Sequence, residues 1–384
     1  MVTGAYFPEL SGGGLQARAV VQALRQQVDF SVLTTSVDPS LPAQSSEEGV
    51  TVQRVYVDMR RSASRLMAPV RLALAFVQSA SRIDIVNLHG FSRKAILLVA
   101  LSRLFGKRFL LTLQTGVQDE PAAVRASGAF AYWAYRKAHF YLSVSPGLSR
   151  AYLEAGLAAS RLRQMCNAVD TERFRPPAPD ERAALRRELG LPPDLKLVLF
   201  VGFFSRDKRP DLLYAAWSQA MSSGPPSGLV FVGATRATYQ EIDVGLASTI
   251  RDRAAAEGFA DRVFFVESTL AIDKYFRAAD LFVLPSIREG LSIALLEAMS
   301  TGLACVATRL PGSTDTMIRD GVNGVLVAPD DRDGFTAAIR LLLDGSQRAA
   351  RFGSAARQTV LDQYSIQKTA AAWLSVYHEA AGAR

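Results

Sequence analysis

The chain has 384 residues, which predicts two domains of about 150–200 residues each instead of a single core. Hydrophobic residues make up 49% and charged residues 21%, and this ordinary globular composition excludes disorder, collagen and coiled coil. Lys and Arg exceed Asp and Glu by 21 to 13 in residues 1–180, but the counts are equal at 23 in residues 181–384. The net charge of +8 therefore lies in the first half. There it would attract phosphorylated substrates, nucleic acid or an anionic lipid surface, or would only improve solubility.

The sparse cysteine and histidine content limits the possible cofactors. Cys166, Cys305 and three histidines are too few for a disulfide framework or a multi-histidine metal centre. No secretory signal is recognisable at the start of the chain. The longest apolar run, residues 66–77, contains Pro69 and Arg71 and is too short to span a bilayer. We expect a cytoplasmic protein with no resident cofactor and no bound metal.

Short apolar, β-branched runs alternate with segments of helical periodicity along the chain. Continuous apolar runs are typical of strands buried on both faces of a parallel sheet. Strand–helix alternation indicates doubly wound α/β sheets. The predicted strands are residues 2–5, 30–34, 52–57, 83–89, 109–115 and 141–145 in the first half, and 197–201, 229–232, 263–266, 281–285, 304–308 and 324–327 in the second.

Proline clusters at residues 175–179 and 191–193 bracket a short charged helix and predict a stiff connector between two Rossmann-like domains. A ligand cleft would then lie between the carboxyl ends of the two sets of strands. The final stretch predicts an amphipathic helix with Trp373 and Tyr377 on one face, which is expected to pack back toward the N-terminal domain. The predicted divisions are residues 1–178, residues 179–365 and residues 366–384, the last of which is the C-terminal helix.

Two glutamates flank a strand-to-helix turn in the second half. Glu289 precedes a helix that Ser292 can cap, and Glu297 lies eight residues further along. This spacing suits hydroxyl groups at two points of an elongated ligand; ordinary surface glutamates are the alternative. Glu297 falls among apolar residues, where an unpartnered charge is costly. The turn whose amides could bind anionic oxygens comprises Gly290, Leu291, Ser292 and Ile293.

A basic turn follows another buried strand. Gly202 ends the strand, Arg206 and Lys208 follow, and Pro210 stands at a favoured first position of a helix. Cations at this edge of a sheet would neutralise a diphosphate and stabilise it as a leaving group. Basic loop residues in water are the alternative.

The first half contributes two weaker signals. Residues 11–14 contain Gly13 and Gly14 in a predicted turn before a helix over about 16–27, and such glycines allow backbone to approach phosphate or sugar oxygens. His89 ends a predicted strand. A lone histidine is more often structural, but its position at the end of the strand favours a sugar contact. Gln114 ends the next strand, and its role stays open.

The pattern from Glu289 to Glu297, followed by Ala298-Met299 and a small-residue turn, resembles the signature of retaining glycosyltransferases with the GT-B fold, specifically glycosyltransferase family 4 (glycosyl transferases group 1). The resemblance implies that Glu289 contacts the donor sugar and that Glu297 holds the ribose hydroxyls. Lys208 fits the position of the family's lysine. Phe203 stands where relatives carry arginine. Arg206, which lies about one turn further along the chain, would take the place of that arginine.

The resemblance also implies that the N-terminal Gly13–Gly14 loop faces the donor across the cleft and that His89 contacts the sugar. The predicted catalytic residues are thus Glu289, Lys208, Arg206 and His89. The implied reaction moves a sugar from a nucleoside diphosphate sugar to an acceptor hydroxyl with retention, without a metal. The resemblance implies acceptor binding by residues 1–178 and nucleotide-sugar binding by residues 179–365. The departing diphosphate would help to take the acceptor proton. Asp331-Arg332-Asp333 is interpreted as a solvated turn or helix cap.

The expected partners are a nucleotide sugar and a saccharide or lipid-linked acceptor, with a role in bacterial cell-surface polysaccharide or glycolipid biosynthesis. Arginines around residues 66–77 further suggest peripheral contact with the inner face of an anionic plasma membrane. No nucleic-acid motif is present. Two alternatives remain open: a sugar-nucleotide epimerase of the same fold, and a catalytically silent scaffold, which the missing arginine at Phe203 would favour.

Overall fold

The computed structural model describes residues 1–9, 11–222, 224–235 and 242–382. The chain forms two compact units. The first contains Met1–Ala168 and the C-terminal helix Ile366–Gly382, and the second is Val169–Ser365. Each unit has a mainly parallel sheet whose strands are connected by helices, as the α/β prediction required.

The sheet of the first unit has the strand order β3-β4-β2-β1-β5-β6-β7-β8. All its pairings are parallel except that β3 runs antiparallel to β4. Its strands are β1 Val2–Thr3, β2 Ser31–Ser36, β3 Gln44–Glu47, β4 Val50–Tyr56, β5 Ile85–His89, β6 Arg108–Leu113, β7 Phe140–Ser143 and β8 Leu162–Gln164. The six strands predicted here are present, and the edge strands β3 and β8 were not predicted because their sequences are polar.

The helices of this unit are α1 Gly12–Leu24, α2 Ser62–Ser79, α3 Lys94–Leu104, α4 Pro121–Ala126, α5 Ala129–Tyr135, α6 Pro146–Glu154 and the final helix α15 Ile366–Gly382. The prediction that α1 begins near residue 16 was wrong. The Ser11 side chain accepts a hydrogen bond from the Gly14 N–H at 3.1 Å, so the three glycines form the first turn of the helix. Helix α15 packs Trp373 and Tyr377 against α1 and the central strands.

The sheet of the second unit is parallel throughout, with the order β11-β10-β9-β12-β13-β14. Its strands are β9 Lys196–Val201, β10 Ser227–Val232, β11 Val263–Val266, β12 Leu281–Leu284, β13 Ala304–Thr308 and β14 Val325–Val327. Its helices are α7 Glu181–Glu188, α8 Pro210–Met221, α9 Val244–Ala256, α10 Ile272–Ala278, α11 Ile293–Ser300, α12 Thr314–Met317, α13 Arg332–Asp344 and α14 Ser346–Gln363. The six strands predicted here are present within one to two residues of their observed ends.

The division between the units lies ten residues before the predicted boundary at 178. Phe174 is buried in the second unit, where its ring meets Phe276 at a centroid distance of 5.8 Å. The Phe174 carbonyl also accepts a hydrogen bond from the Ser300 hydroxyl at 2.6 Å. These contacts hold the segment before the prolines in the second unit, so composition alone misplaced the boundary.

Two smaller predictions concern polar and membrane segments. Asp331 caps α13 by accepting a hydrogen bond from the Gly334 N–H at 2.8 Å, which confirms the interpretation of Asp331-Arg332-Asp333 as a helix cap. Throughout the described ranges, every helix falls short of the length and apolar character needed to cross a bilayer.

Candidate active site

Lys208 and Glu289 form the central ion pair of the second unit. Lys208 lies in the turn after β9, and Glu289 in the turn after β12, which is the neighbouring parallel strand. The carboxyl ends of both strands are therefore at one edge of the sheet. Lys208 Nζ is 2.6 Å from Glu289 Oε1, and the Glu289 side chain is only 8% exposed. The fold thus brings together two of the predicted catalytic residues, which are 81 positions apart in the sequence.

The two turns are joined by further contacts. The Ile287 N–H donates a hydrogen bond to the Asp207 carbonyl at 2.8 Å. The side chains of Asp207 and Arg288 form an ion pair. The backbone hydrogen bond and the ion pair fix the two turns relative to each other, and therefore hold Lys208 and Glu289 in position.

Arg206 does not join this pair. Its side chain is 87% exposed, and Nε lies 3.2 Å from Asp243 Oδ2. Asp243 is the N-cap of α9 and also accepts a hydrogen bond from the Gly245 N–H. In the described structure Arg206 is thus oriented by α9, an interaction that its sequence neighbourhood did not predict.

Glu297 lies in the second turn of α11, where it is 8% exposed. Burial raises the pKa of its carboxyl to about 8, with an opposing effect from the nearby Arg173 and a further increase from Asp273. Arg173 itself forms an ion pair with Asp273 at 3.1 Å, so its charge is shared. Hydroxyl groups that donate hydrogen bonds to this carboxyl would stabilise its charged form.

The remaining donor-site candidates surround these side chains. Ser292 caps α11, with its hydroxyl accepting a hydrogen bond from the Leu295 N–H at 3.4 Å. Gly202 follows β9, and a Cβ built on the adjacent Gly233 would lie 1.8 Å from the Gly202 carbonyl oxygen. Gly233 thus permits the close approach of the two strand ends, and it was missed although it too follows a buried strand. The turn residues Gly290 and Leu291 are buried, and Ile293 is half-buried.

In the first unit, His89 ends β5 and is 5% exposed. Its ring stacks on Trp373 of α15, with centroids 5.9 Å apart and an interplanar angle of 9°. Nδ1 lies 3.3 Å from the Gln114 amide nitrogen, whereas Nε2 is buried and has no hydrogen-bond partner among the described residues. Burial, aided by the N-terminal amino group, lowers the pKa of His89 to about 3, so the imidazole is neutral.

Asp119 was missed by sequence reasoning, although it organises this edge of the first sheet. Its carboxylate accepts hydrogen bonds from the backbone N–H groups of Phe91 (2.7 Å), Gln114 (2.6 Å) and Thr115 (2.9 Å). Burial raises its pKa to about 6 against the effect of these hydrogen bonds. Its position in a loop of polar and small residues gave no sign of this role.

Gly13 and Gly14 have different structural roles. A Cβ built on Gly13 would lie 3.9 Å from the Cβ and the carbonyl oxygen of His89, which brings these two predicted residues together. A Cβ built on Gly14 would lie 2.2 Å from the Ala5 carbonyl oxygen, so Gly14 is required for the packing of α1 against the end of the first strand segment. Gly13 is therefore the better placed of the two to expose an amide to a ligand.

The geometry gathers the predicted residues into two groups, one in each unit. In the second unit a cation, a paired carboxylate and a buried carboxyl stand at the carboxyl edge of a parallel sheet, where open α/β sheets bind ligands. In the first unit a neutral imidazole and a glycine-rich helix start occupy the corresponding edge. The described residues contain no group of three or more His, Cys, Asp or Glu side chains that could hold a metal ion. Cys305 is buried and Cys166 half-buried, and both thiols are free.

Two Rossmann-like units with this arrangement define the GT-B class of glycosyltransferases. The family model "Glycosyl transferases group 1" matches residues 181–359, and the model "Glycosyltransferase Family 4" matches residues 10–173. Together they account for most of both units. The chain belongs to this family of glycosyltransferases.

Curated relatives share moderate identity with the chain. The D-inositol 3-phosphate glycosyltransferase 2 of Catenulispora acidiphila is 34% identical over 224 residues, which are 58% of this chain and 51% of that protein. The D-inositol 3-phosphate glycosyltransferase of Acidothermus cellulolyticus is 28% identical over 97% of this chain and 87% of its own length. A lipopolysaccharide core biosynthesis mannosyltransferase of Rhizobium meliloti is 28% identical over 70% and 74%. The chain thus spans about half of the first relative and most of the other two.

Solved structures agree on the fold. Sucrose-phosphate synthase from Thermosynechococcus elongatus superposes with a TM-score of 0.82 at 19% identity, covering 100% of this chain and 99% of that one. Anabaena Alr3699/HepE in complex with UDP-glucose gives a TM-score of 0.80 at 17% identity, covering 98% and 99%. At these identities the likeness establishes the GT-B fold alone.

Proposed function

We propose that this protein transfers a sugar from a nucleoside diphosphate sugar to an acceptor hydroxyl, with retention at the anomeric carbon. The observation that carries the proposal is the Lys208–Glu289 pair at the carboxyl edge of the second sheet, together with the buried carboxyl of Glu297 in the helix that follows Glu289. Anabaena HepE, which shares the fold, has been crystallised with UDP and with UDP-glucose. A UDP-sugar is therefore the first donor to test.

Each residue of the second unit has a distinct role in the proposed site. Lys208 binds the diphosphate and stabilises the negative charge that develops as the glycosidic bond breaks. Glu289 orients the donor sugar by accepting hydrogen bonds from its hydroxyl groups, and its pairing with Lys208 keeps it from acting as a free nucleophile. Glu297 accepts hydrogen bonds from the ribose hydroxyls. Arg206 reaches the diphosphate only if its side chain leaves Asp243.

The proposed acceptor contacts lie in the first unit. With Gln114 donating to Nδ1, the His89 proton sits on Nε2, whose hydrogen has no partner among the described residues. That N–H can donate to a sugar oxygen. Gly13, which is assigned to donor binding, lies against the His89 backbone. Because the imidazole stays neutral, it orients a substrate and does not act as a general acid at pH 7.

Retention follows in this proposal from attack on the same face from which the diphosphate leaves. The acceptor hydroxyl forms the new C–O bond, the old bond to the diphosphate breaks, and a diphosphate oxygen takes the proton. Retaining glycosidases instead use two carboxyl groups about 5 Å apart. Lys208 neutralises the charge of the leaving diphosphate in this proposal, and no metal ion is needed. We therefore expect activity to persist in excess EDTA.

The decisive experiment measures products. The protein is incubated with UDP-glucose or other nucleotide sugars, with and without saccharide or lipid-linked acceptors, and the anomeric proton of the product is assigned by NMR. A new glycoside with the donor's anomeric configuration is expected. An altered sugar nucleotide formed without acceptor would establish the epimerase instead. No donor consumption in any combination, together with nucleotide binding, would establish the silent scaffold.

We also propose peripheral contact between α2 and an anionic membrane surface. Exposed apolar side chains form a stripe along this helix, and exposed arginines accompany them, which is typical of helices that lie in a membrane interface. Leu72 and Phe76 pack the opposite side against the unit. The exposed residues are Leu66, Met67, Val70, Leu74, Val77, Arg61, Arg65 and Arg71.

This contact places synthesis of a lipid-linked or cell-surface glycan at the inner face of the plasma membrane, in keeping with the lipopolysaccharide mannosyltransferase among the relatives. Flotation with anionic vesicles tests it. Replacing Leu66 and Leu74 with Asp should abolish recovery with the vesicles, whereas Leu341→Asp, at an exposed leucine of α13, should not. Equal recovery of all variants would rule out the contact.

A further inference from the structure

A cavity of about 1280 Å³ opens on the first unit, at the edge of the sheet where β5, β6 and β7 begin. Asp84 precedes β5, Arg108 is the first residue of β6, and Phe140 is the first residue of β7. His89 lies at the other end of β5, about 16 Å away for a five-residue strand. The cavity is therefore on the opposite edge from the proposed acceptor contacts, and nothing in the proposed reaction uses it.

The lining of this cavity is strongly basic. Among its described lining residues are seven Lys and Arg side chains but a single carboxylate, that of Asp84. Five of the seven cations, including Arg103 and Arg136, are exposed to solvent. The lining therefore carries an excess of positive charge, which attracts anions.

His139 lies among these cations. It lines the cavity, and its Nδ1 accepts a hydrogen bond from the Phe109 N–H at 2.9 Å. Burial, and then the charges of Arg108, Arg103 and Arg161, lower its pKa. These arginines come from α3, β6 and the turn before β8, so cations from separate elements converge on one point.

Aromatic side chains lie among the cations. Tyr132 and Trp133 of α5 line the cavity, and Arg125 and Arg136 stand 5.9 Å and 6.0 Å from the centroid of the Tyr132 ring. Trp133 is 40% exposed. Neighbouring apolar side chains are also exposed: Phe130 is 78% exposed, and Leu104 and Phe105, which follow Arg103, are 76% and 39% exposed. Basic groups with amphipathic aromatic rings beside them are typical of sites that bind anionic headgroups at an interface.

We propose that this cavity is a second ligand site, which binds phosphate groups through the arginine and lysine side chains of α3, of α4, of the turn after α5 and of the start of β6. Guanidinium groups match phosphate oxygens in a bidentate manner, and ammonium groups add charge. The phosphate can belong to a phospholipid headgroup or to a soluble phosphorylated compound. The centroid of the exposed Phe105 ring lies 6.2 Å from that of Phe76, which is on the side of α2 that packs against the unit, so the rim of the cavity adjoins that helix. The site does not depend on the sugar-transfer proposal.

Trp133 supplies a local reporter. The chain contains three tryptophans, and Trp217 and Trp373 are fully buried. Tryptophan emission and its quenching by acrylamide should therefore follow Trp133 when the full-length protein is titrated. The probes are phosphatidylglycerol–phosphatidylcholine vesicles, vesicles of phosphatidylcholine alone, and inorganic pyrophosphate. Trp133→Phe should abolish the change in emission, and a change that survives this replacement would overturn the assignment to the cavity.

The matched variants separate the site from the net charge. Arg136→Glu/Lys137→Glu changes two lining cations, whereas Arg150→Glu/Arg348→Glu changes two exposed arginines that do not line the cavity. Both lower the net charge equally. The first should bind at least about tenfold more weakly, since each basic residue near an anionic surface contributes appreciably to binding. The second should stay within about twofold of wild type by the same reasoning. Arg136→Gln/Lys137→Gln serves if the reversal does not fold.

Each outcome is decisive. A response to anionic vesicles alone assigns the phosphate to a phospholipid, and a response to pyrophosphate assigns it to a soluble compound. Lys208→Ala should retain either response, because Lys208 belongs to the other unit. The proposal is overturned if the wild-type protein responds neither to the anionic vesicles nor to pyrophosphate, or if both double variants lose affinity equally.

Discussion

Glu297 should make nucleotide binding depend on pH. Burial raises the pKa of its carboxyl to about 8 in the unliganded protein. At pH 7 the group is then about 90% protonated. Ribose hydroxyls that donate hydrogen bonds would require the carboxylate, so the proton must leave on binding. We expect UDP binding to release nearly one proton at pH 7 and almost none at pH 9.

The magnitude follows from the proton that must be removed. The fraction of molecules with an ionised Glu297 rises about tenfold from pH 7 to pH 9, which corresponds to about 1.4 kcal/mol of binding free energy. The dissociation constant for UDP should therefore fall about tenfold over this interval. The unliganded protein should show the opposite trend. A pKa raised from 4.5 to about 8 makes the free energy of unfolding largest below pH 4.5 and lowers it as the pH rises to 8.

Isothermal titration calorimetry at pH 7, 8 and 9, in buffers of different ionisation enthalpy, measures both affinity and proton release. Glu297→Gln is the control: it keeps the size of the side chain, removes the titration, and should bind UDP with an affinity that does not change with pH. A wild-type dissociation constant that is constant between pH 7 and 9, with no proton release, would refute the role assigned to Glu297.

Three further predictions concern single substitutions. Lys208→Ala should reduce kcat at least about 100-fold by removing stabilisation of the leaving diphosphate. It should also lower the free energy of unfolding by roughly 2–3 kcal/mol because Glu289 loses its partner. Activity near wild type would contradict the role of Lys208. Gly14→Ala should destabilise the protein by more than about 1 kcal/mol in urea unfolding because its Cβ would collide with a backbone carbonyl oxygen. Gly12→Ala is the control: it has open space around it and should be neutral or slightly stabilising. Equal effects of the two substitutions would be inconsistent with the described packing. Trp373→Ala should cost about 3–5 kcal/mol by leaving a cavity and should weaken acceptor binding more than donor binding; a selective loss of donor binding would argue against its placement beside the acceptor site.

Local sequence pattern was sufficient for the regular elements of the sheets. Twelve strands were predictable because their apolar runs are continuous, as required of strands buried on both faces. The short strand β3, with sequence Gln-Ser-Ser-Glu, was not predictable because its pairing with β4 uses backbone groups and leaves polar side chains at an edge. The start of α1 was misjudged since glycines disfavour helix interiors, but at the first turn Ser11 caps them.

The candidate site divides in the same way. Glu289 and Lys208 were predicted from the sequence because each stands where a buried strand passes into a helix, and parallel topology brings such positions to one edge. Glu297 was predicted from its apolar neighbours and its spacing from Glu289. Other contacts in the two units were not predictable from local pattern. They include the engagement of Arg206 by Asp243, the stacking of His89 on Trp373, and the three N–H groups that converge on Asp119.

The sequence by itself therefore determined the class of fold and the set of candidate site residues, because apolar periodicity and strand-end position are encoded locally. Tertiary structure decided which of those side chains meet and what their pKa values are. Burial and pairing depend on residues that lie up to 284 positions apart in the chain, as for His89 and Trp373. No local pattern contains that information, since desolvation is a property of the packed chain as a whole.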